Sequence, residues 1–287
     1  GDLAGTIAHG ERAAQLSLDD DHLERGAATA LTGLARWAAG DLDGAARHYA
    51  TAITELELAE HWSDMLGCSL GLADMQFGLG QLRAAEHTLN AGLDLAARRG
   101  PLRGTADMHI GLAEVHFERN ELDAAAAHLA ASLELGERLA LPQHAYRWRV
   151  VDARLRAARG DLADALEVLG DAEGRYHTDY SPKVRPVAAI SARVRLAGGD
   201  VAGAQRWATA AGLSVDDQPG YLREFEHLTL AQVLLASGRS ADAVALLEGV
   251  LASAEAGGRE GAVIEALVLL ALAREAAGDR PRALTDI

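Results

Sequence analysis

Asp74, Glu114, Arg154, Arg193 and Gln232 stand 40, 40, 39 and 39 residues apart, two acids giving way to two arginines and an amide. Charged side chains repeated at a fixed spacing can do one of two things. On a concave face they hold a polar ligand, the acids accepting hydrogen bonds and the arginines gripping a carboxylate or phosphate. Between neighbouring repeats they pair with one another, for roughly 0–1 kcal/mol each at a surface. Other chemistry is harder to find. Eleven histidines invite a metal search, and His109 and His116 lie seven apart, on one helix face, with Glu114 nearby. A helical metal pair ordinarily takes a spacing of four, as in His-Glu-x-x-His, which does not occur. His48, His87 and His128 return about every 40 residues, which marks them as repeat positions. No Gly-x-Ser-x-Gly elbow and no Rossmann glycine fingerprint is present. The expectation is therefore no metal, no cofactor and no catalytic group. Asp19-Asp20-Asp21 reads as a solvated turn, and the lone Cys68 as a small packing residue.

The spacing itself names the elements that must position these residues. Gly40-Asp-Leu-Asp-Gly-Ala45 recurs as Gly80 to Ala85, Asn120 to Ala125, Gly160 to Ala165, Gly199 to Ala204, Gly238 to Ala243 and Gly278 to Ala283. The anchors step by 40, 40, 40, 39, 39 and 40, and Gly1-Asp-Leu lies 39 before the first. Such a period is the signature of a repeat array. The anchor glycine ends one helix in a left-handed conformation, where Asn120 is the usual substitute. An Asp just after it, as in Asp41, Asp161, Asp200 and Asp279, can cap the next helix. Ala follows five residues after every complete anchor. Seven residues before it stand Gly33, Ala73, Ala113, Ala153, Ala192, Ala231 and Ala271. These two small positions let the helices of a hairpin approach closely. Pro142, Pro186 and Pro281 suit first helical turns, and Tyr176 to Pro186 reads as a longer loop before the fifth hairpin. The fold expected is all-α: a right-handed superhelical solenoid of about fourteen helices in about seven hairpins, forming one domain over residues 1–287. No hairpin can bury its apolar face alone.

Bulk properties narrow the setting. The chain is 49% apolar and only 4% aromatic, and no apolar run is long enough to span a bilayer. The amino terminus lacks a signal-peptide pattern, and one cysteine cannot form an internal disulfide, so a reducing cytoplasm is the natural location. A net charge of −15 argues against a grip on nucleic acid.

A small residue, then Gly seven later, then Ala five later is the tetratricopeptide pattern in a long form. Ser181-Pro-Lys-Val-Arg-Pro-Val-Ala-Ala189, Tyr221 to Ala236 and Gly258 to Ala283 narrow it further. They resemble the sensor region of the large ATP-dependent, MalT-like LuxR-family transcriptional regulators. That resemblance implies a nucleotide-binding switch domain before the superhelix and a helix-turn-helix domain after it. It also implies a superhelix that receives an inducer and controls self-association. The sequence has no Gly-x-x-x-x-Gly-Lys-Ser/Thr loop and stops inside a hairpin at Ile287, so it reads as a fragment of such a regulator. It is a binding module, not an enzyme.

In tetratricopeptide arrays three rows of the first helices line the inner face: three before, one after and four after the small residue. The first row runs Ala30, Leu70, Ile110, Val150, Ala189, Leu228, Val268, and the second holds the charged series. The third begins Trp37, Phe77, Phe117, and lines either the groove or the hairpin core. The candidate ligand site is Asp74, Phe77, Glu114, Phe117, Tyr146, Arg154, Arg193 and Gln232. A small-molecule inducer or a partner protein would occupy it, without direct contact to nucleic acid or membrane. The alternative function is an adaptor that binds a peptide or partner domain and no small molecule. Peptide-carboxylate-binding tetratricopeptide domains use Lys and Asn on these rows. Here Lys183 is the single lysine, and the two asparagines, Asn90 and Asn120, are off the rows.

Overall fold

The computed structural model describes residues 2–18, 20–176 and 181–286. Gly1, Asp19, His177 to Tyr180 and Ile287 lie outside the described residues, and with them part of the expected acidic turn, of the expected loop and the final residue. Among the described residues there are fifteen α-helices and no strand. They are α1 (Leu3–Leu16), α2 (His22–Ala39), α3 (Leu42–Leu58), α4 (Trp62–Gly78), α5 (Leu82–Arg99), α6 (Thr105–Glu118), α7 (Leu122–Leu135) and α8 (His144–Ala158). The series continues with α9 (Leu162–Glu173), α10 (Val187–Ala197), α11 (Val201–Ala210), α12 (Glu224–Ala236), α13 (Ser240–Ala256), α14 (Glu260–Ala276) and α15 (Arg280–Ala283). The even-numbered helices are first helices of hairpins, and each odd one from α3 is its second. The fifteenth helix, one more than expected, is α1: the anchor at the amino terminus starts a second helix of its own.

The anchors do what their chemistry requires. Gly40, Gly80, Asn120, Gly160, Gly199, Gly238 and Gly278 all have φ between 60° and 93°, the left-handed region that ends a helix. Asp2, Asp41, Asp200 and Asp279 accept the backbone N–H three residues on, capping α1, α3, α11 and α15. Ala45, Ala85, Ala125, Ala165, Ala204 and Ala243 are all 0% exposed. The facing small residues share their clusters: Ala113 with Ala125, Ala192 with Ala204, Ala231 with Ala243. At Gly33 a Cβ would lie 2.6 Å from Tyr49, so nothing larger than glycine fits there without movement.

The chain comprises two compact units, residues 1–155 with 174–182 and residues 156–173 with 183–287. In unit 1 each helix from α1 to α7 packs on the next, α8 joins through Val151 and Leu155 against Leu129, and first helix α4 also packs on first helix α6. Unit 2 repeats this, with α10 on α12 and α12 on α14. Contact between successive first helices brings their equivalent positions side by side. No helix among the described residues is long and apolar enough to cross a membrane.

Candidate functional site

In unit 1 the charged row meets an arginine from outside it. Arg147 on α8 donates from Nη1 and Nη2 to both oxygens of Asp74 on α4, at 2.6 and 2.7 Å, and from Nη2 to Glu114 on α6 at 3.1 Å. All three are largely buried, at 15, 19 and 17% side-chain exposure. Burial penalises the Arg147 charge, but Asp74 first, then Glu114 and Asp107, outweigh it and hold the guanidinium charged well above its ordinary range. Arg154 donates to Glu118 at 2.7 Å, stands 3.7 Å from Glu114 and lies over the Phe117 ring at 4.3 Å. Beneath, Asp107 is fully buried and accepts from the Leu141 N–H at 2.7 Å. Loss of water pushes its carboxyl up to about 7, against the pull of that bond and of Arg147. Two buried atoms of this cluster, Asp107 Oδ1 and Arg147 Nε, have no hydrogen-bond partner among the described residues.

Unit 2 builds a looser version. Arg193 on α10 pairs with Glu265 on α14 at 2.7 Å, donates from Nε to Thr229 Oγ1 at 2.8 Å and lies 3.8 Å over the Phe225 ring on α12. Gln232 donates to the same Glu265 at 3.3 Å. Side-chain exposure is 23% for Arg193 and 32% for Glu265.

The structure therefore gathers Asp74, Glu114, Phe117 and Arg154 within unit 1, and Arg193 and Gln232 around Glu265 within unit 2. Phe77 is half-buried on α4. Tyr146 meets Tyr176 edge-on at 5.0 Å. Of the aromatic row, Trp37 belongs to the hairpin core, 2% exposed with its ring edge-on to Tyr49. Phe117 serves both sides, packing on the cluster of Ile110, Ala113 and Leu129 while carrying Arg154. The residues that sequence reasoning missed share one row. Asp107, Arg147, Phe225 and Glu265 each stand six before the small residue. That is seven before the charged row and so two turns along the same helix face.

Other polar groups are spent on structure. Glu224 and Arg259 form a buried ion pair at 2.7 Å, and His227, 1% exposed, bonds Asp217 at 3.1 Å. His109 and His128 face each other through their Nδ1 atoms at 2.9 Å, and His128 stacks on His116. Burial, then His109 and His116, pushes His128 down to about 4. Among the described residues no group of three or more His, Cys, Asp or Glu side chains is placed to hold a metal ion. Cys68 is buried, its thiol pushed up to about 12 by loss of water. A cleft of about 340 Å³ opens among α1, α2 and α3, lined by Glu11, Gln15, Thr29, Thr32, Arg47 and His48. It includes none of the charged-row residues.

The family described as the MalT-like TPR region matches residues 1–287. A Rap protein, solved in complex with competence and sporulation factor, is similar at 17% identity and a TM-score of 0.58, over 96% of this chain and 80% of that one. The Cut9–Hcn1 hetero-tetramer of the APC/C is similar at 13% identity and a TM-score of 0.64. That match covers 96% of this chain and 47% of the other, so this chain spans about half its length. These likenesses establish the fold, an array of tetratricopeptide-like hairpins. No curated protein sequence matches.

Proposed function

The chain belongs to the MalT-like TPR family, and on that premise we propose that it is the signal-receiving and self-association module of a LuxR-family, ATP-dependent transcriptional regulator. It binds rather than catalyses, and acts in the cytoplasm as part of a longer protein that supplies the nucleotide switch and the DNA-binding domain. The observation that carries the reading is the charged row. At one position of five successive first helices, where a purely structural repeat would be free to vary, stand Asp74, Glu114, Arg154, Arg193 and Gln232. On α6 and α8 the residue two turns earlier on the same face, Asp107 and Arg147, is charged as well. Charged groups concentrated on the first helices, next to the half-buried rings of Phe77 and Phe117, suit a small polar ligand with an apolar part.

The test is a thermal-shift screen of metabolites on the intact chain, since a ligand of the folded state stabilises it by mass action. Any hit is then titrated against Arg154→Ala and, separately, Arg193→Ala. Loss of a charge-assisted contact should weaken binding by about 2 kcal/mol or more in at least one variant. A ligand bound equally well by both variants would remove the charged row from recognition. Sub-micromolar, salt-sensitive binding of this chain to duplex DNA would contradict the assignment of DNA contact to another domain.

A further inference from the structure

We propose that residues 136–142, the segment between α7 and α8, are a latch on α6 that opens as Asp107 loses its proton. The latch lies wholly within unit 1 and needs no ligand in the charged row.

The segment crosses the start of α6 before the chain enters α8. It leaves α7 at Gly136, makes one 3-10 turn (Glu137–Leu139) and exposes Glu137, Arg138 and Pro142. Among the described residues three hydrogen bonds tie it down. The Gly104 N–H donates to the Leu139 carbonyl at 2.8 Å, Arg103 Nε to the Ala140 carbonyl at 3.0 Å, and the Leu141 N–H to Asp107 Oδ2 at 2.7 Å. The Leu141 side chain rests against Gly67 of α4 and Gly104. Gly136, at φ 71° and with open space where a side chain would stand, supplies the hinge. Beyond the latch, buried Ser132 Oγ and His144 Nε2 meet at 2.9 Å and keep α7 and α8 joined when it lifts.

Of the three ties, Asp107 alone can change its charge near neutral pH. It is 0% exposed, and while Oδ2 accepts from Leu141, Oδ1 has no hydrogen-bond partner among the described residues. A buried carboxylate with one oxygen unpaired is less favourable than the neutral acid. Loss of water therefore holds the carboxyl up at about 7, against the Leu141 N–H, Arg147 on α8 and Arg103 before α6. Asp74 on α4 and Glu114 on α6 act on it through Arg147, which they bind. His144, pushed below its ordinary range by burial, titrates on the acid side of Asp107.

The sign follows. With the latch open, water reaches the carboxylate and its value returns towards the ordinary one near 4. The closed form holds the proton more tightly, so it is favoured at low pH. Its ratio to the open form falls by up to about tenfold per pH unit as pH rises towards 7. Arg147 lies three residues into α8, just past the latch, so release also loosens the end of α8 from which Arg147 holds Asp74 and Glu114.

The experiment is hydrogen exchange of the intact chain from pH 5 to 8, read by mass spectrometry on peptides spanning residues 136–144 and corrected for the intrinsic base-catalysed rate. Protection of the latch should fall more than about tenfold between pH 5 and 7, while the interiors of α6 and α7 keep theirs. Asp107→Asn retains an acceptor for Leu141 and cannot ionise, so its protection should not change with pH. Leu141→Ala should lower protection at every pH and leave the pH dependence in place. Where Asp107→Asn fails to fold, the profiles of the unmodified chain and Leu141→Ala still decide. Protection independent of pH in the unmodified chain, or an equal pH dependence in Asp107→Asn, overturns the inference. So does protection lost from α6 and α7 together with the latch.

Discussion

Arg147 in unit 1 and Arg193 in unit 2 reach across their units in the same way and end in different surroundings. Each spans from one first helix to an acid two hairpins away, α8 to α4 and α10 to α14. Arg147 does so with a two-point grip at 15% exposure, takes Glu114 as well, and is backed by the buried Asp107. Arg193 meets its acid at 2.7 Å and also donates to the Thr229 hydroxyl and the Phe225 carbonyl. The difference begins in register. Arg147 stands six before the small residue and Arg193 one after it, two helical turns apart on a common face. One repeat geometry therefore yields a closed, two-point pair and a looser, more exposed one.

The largest expected effect breaks the closed pair. Arg147→Met leaves Asp74 and Glu114 buried without their cation and should cost about 3–5 kcal/mol, read by urea unfolding with circular dichroism and Trp148 fluorescence. Next comes the proton on Asp107. Its folded-state carboxyl is raised to about 7, so the folded protein holds that proton longer than the unfolded chain does. The associated stability is fully present below the unfolded value near 4 and is lost as pH rises through about 7. Between pH 5 and 7 the loss should be about 2 kcal/mol. His109 and His128, both pushed down by burial, act in the opposite sense, destabilising the fold as pH falls below their unfolded value. The difference in pH slope between Asp107→Asn and the unmodified chain isolates Asp107. An unchanged slope would place its titration elsewhere.

A smaller effect sharpens the comparison by testing what the units share. Ala113→Leu and Ala231→Leu overpack equivalent hairpin contacts and should each cost about 1–3 kcal/mol, by the same unfolding assay. A large inequality would mean that the units differ in their helical packing as well as in their polar rows. Smallest is Arg193→Met, which should change unliganded stability by only about 0–1 kcal/mol. Trp207, the single tryptophan of unit 2, reports on it.

Much of this is legible in the sequence alone. The anchors, the caps and the small positions are local chemistry, and a 40-residue period exposes local chemistry by repetition. Asn120 at φ 60° is a case in point. The polar clusters were only half legible. The charged row stands out because its members differ from their apolar neighbours, whereas Arg147 and Glu265 lie upstream of the three inner-face rows of the tetratricopeptide pattern. The signal was present two turns upstream, where Asp107, Arg147, Phe225 and Glu265 share one register. What no single-repeat pattern contains is the reach from one hairpin to the next but one. That depends on how closely alternate first helices approach, which is a property of the stacked unit. Trp37 shows the same limit: its row could face either side, and only packing against Tyr49 sends it inward.

The two pairs are unequal, one held at two points and largely buried, the other looser and more exposed. Double-mutant cycles on Arg147 with Asp74 and on Arg193 with Glu265, each by urea unfolding of the intact chain, measure that inequality directly. The expected coupling is about 2 kcal/mol or more for the first pair and below about 1 kcal/mol for the second. Equal couplings, or a stronger one between Arg193 and Glu265, would contradict it.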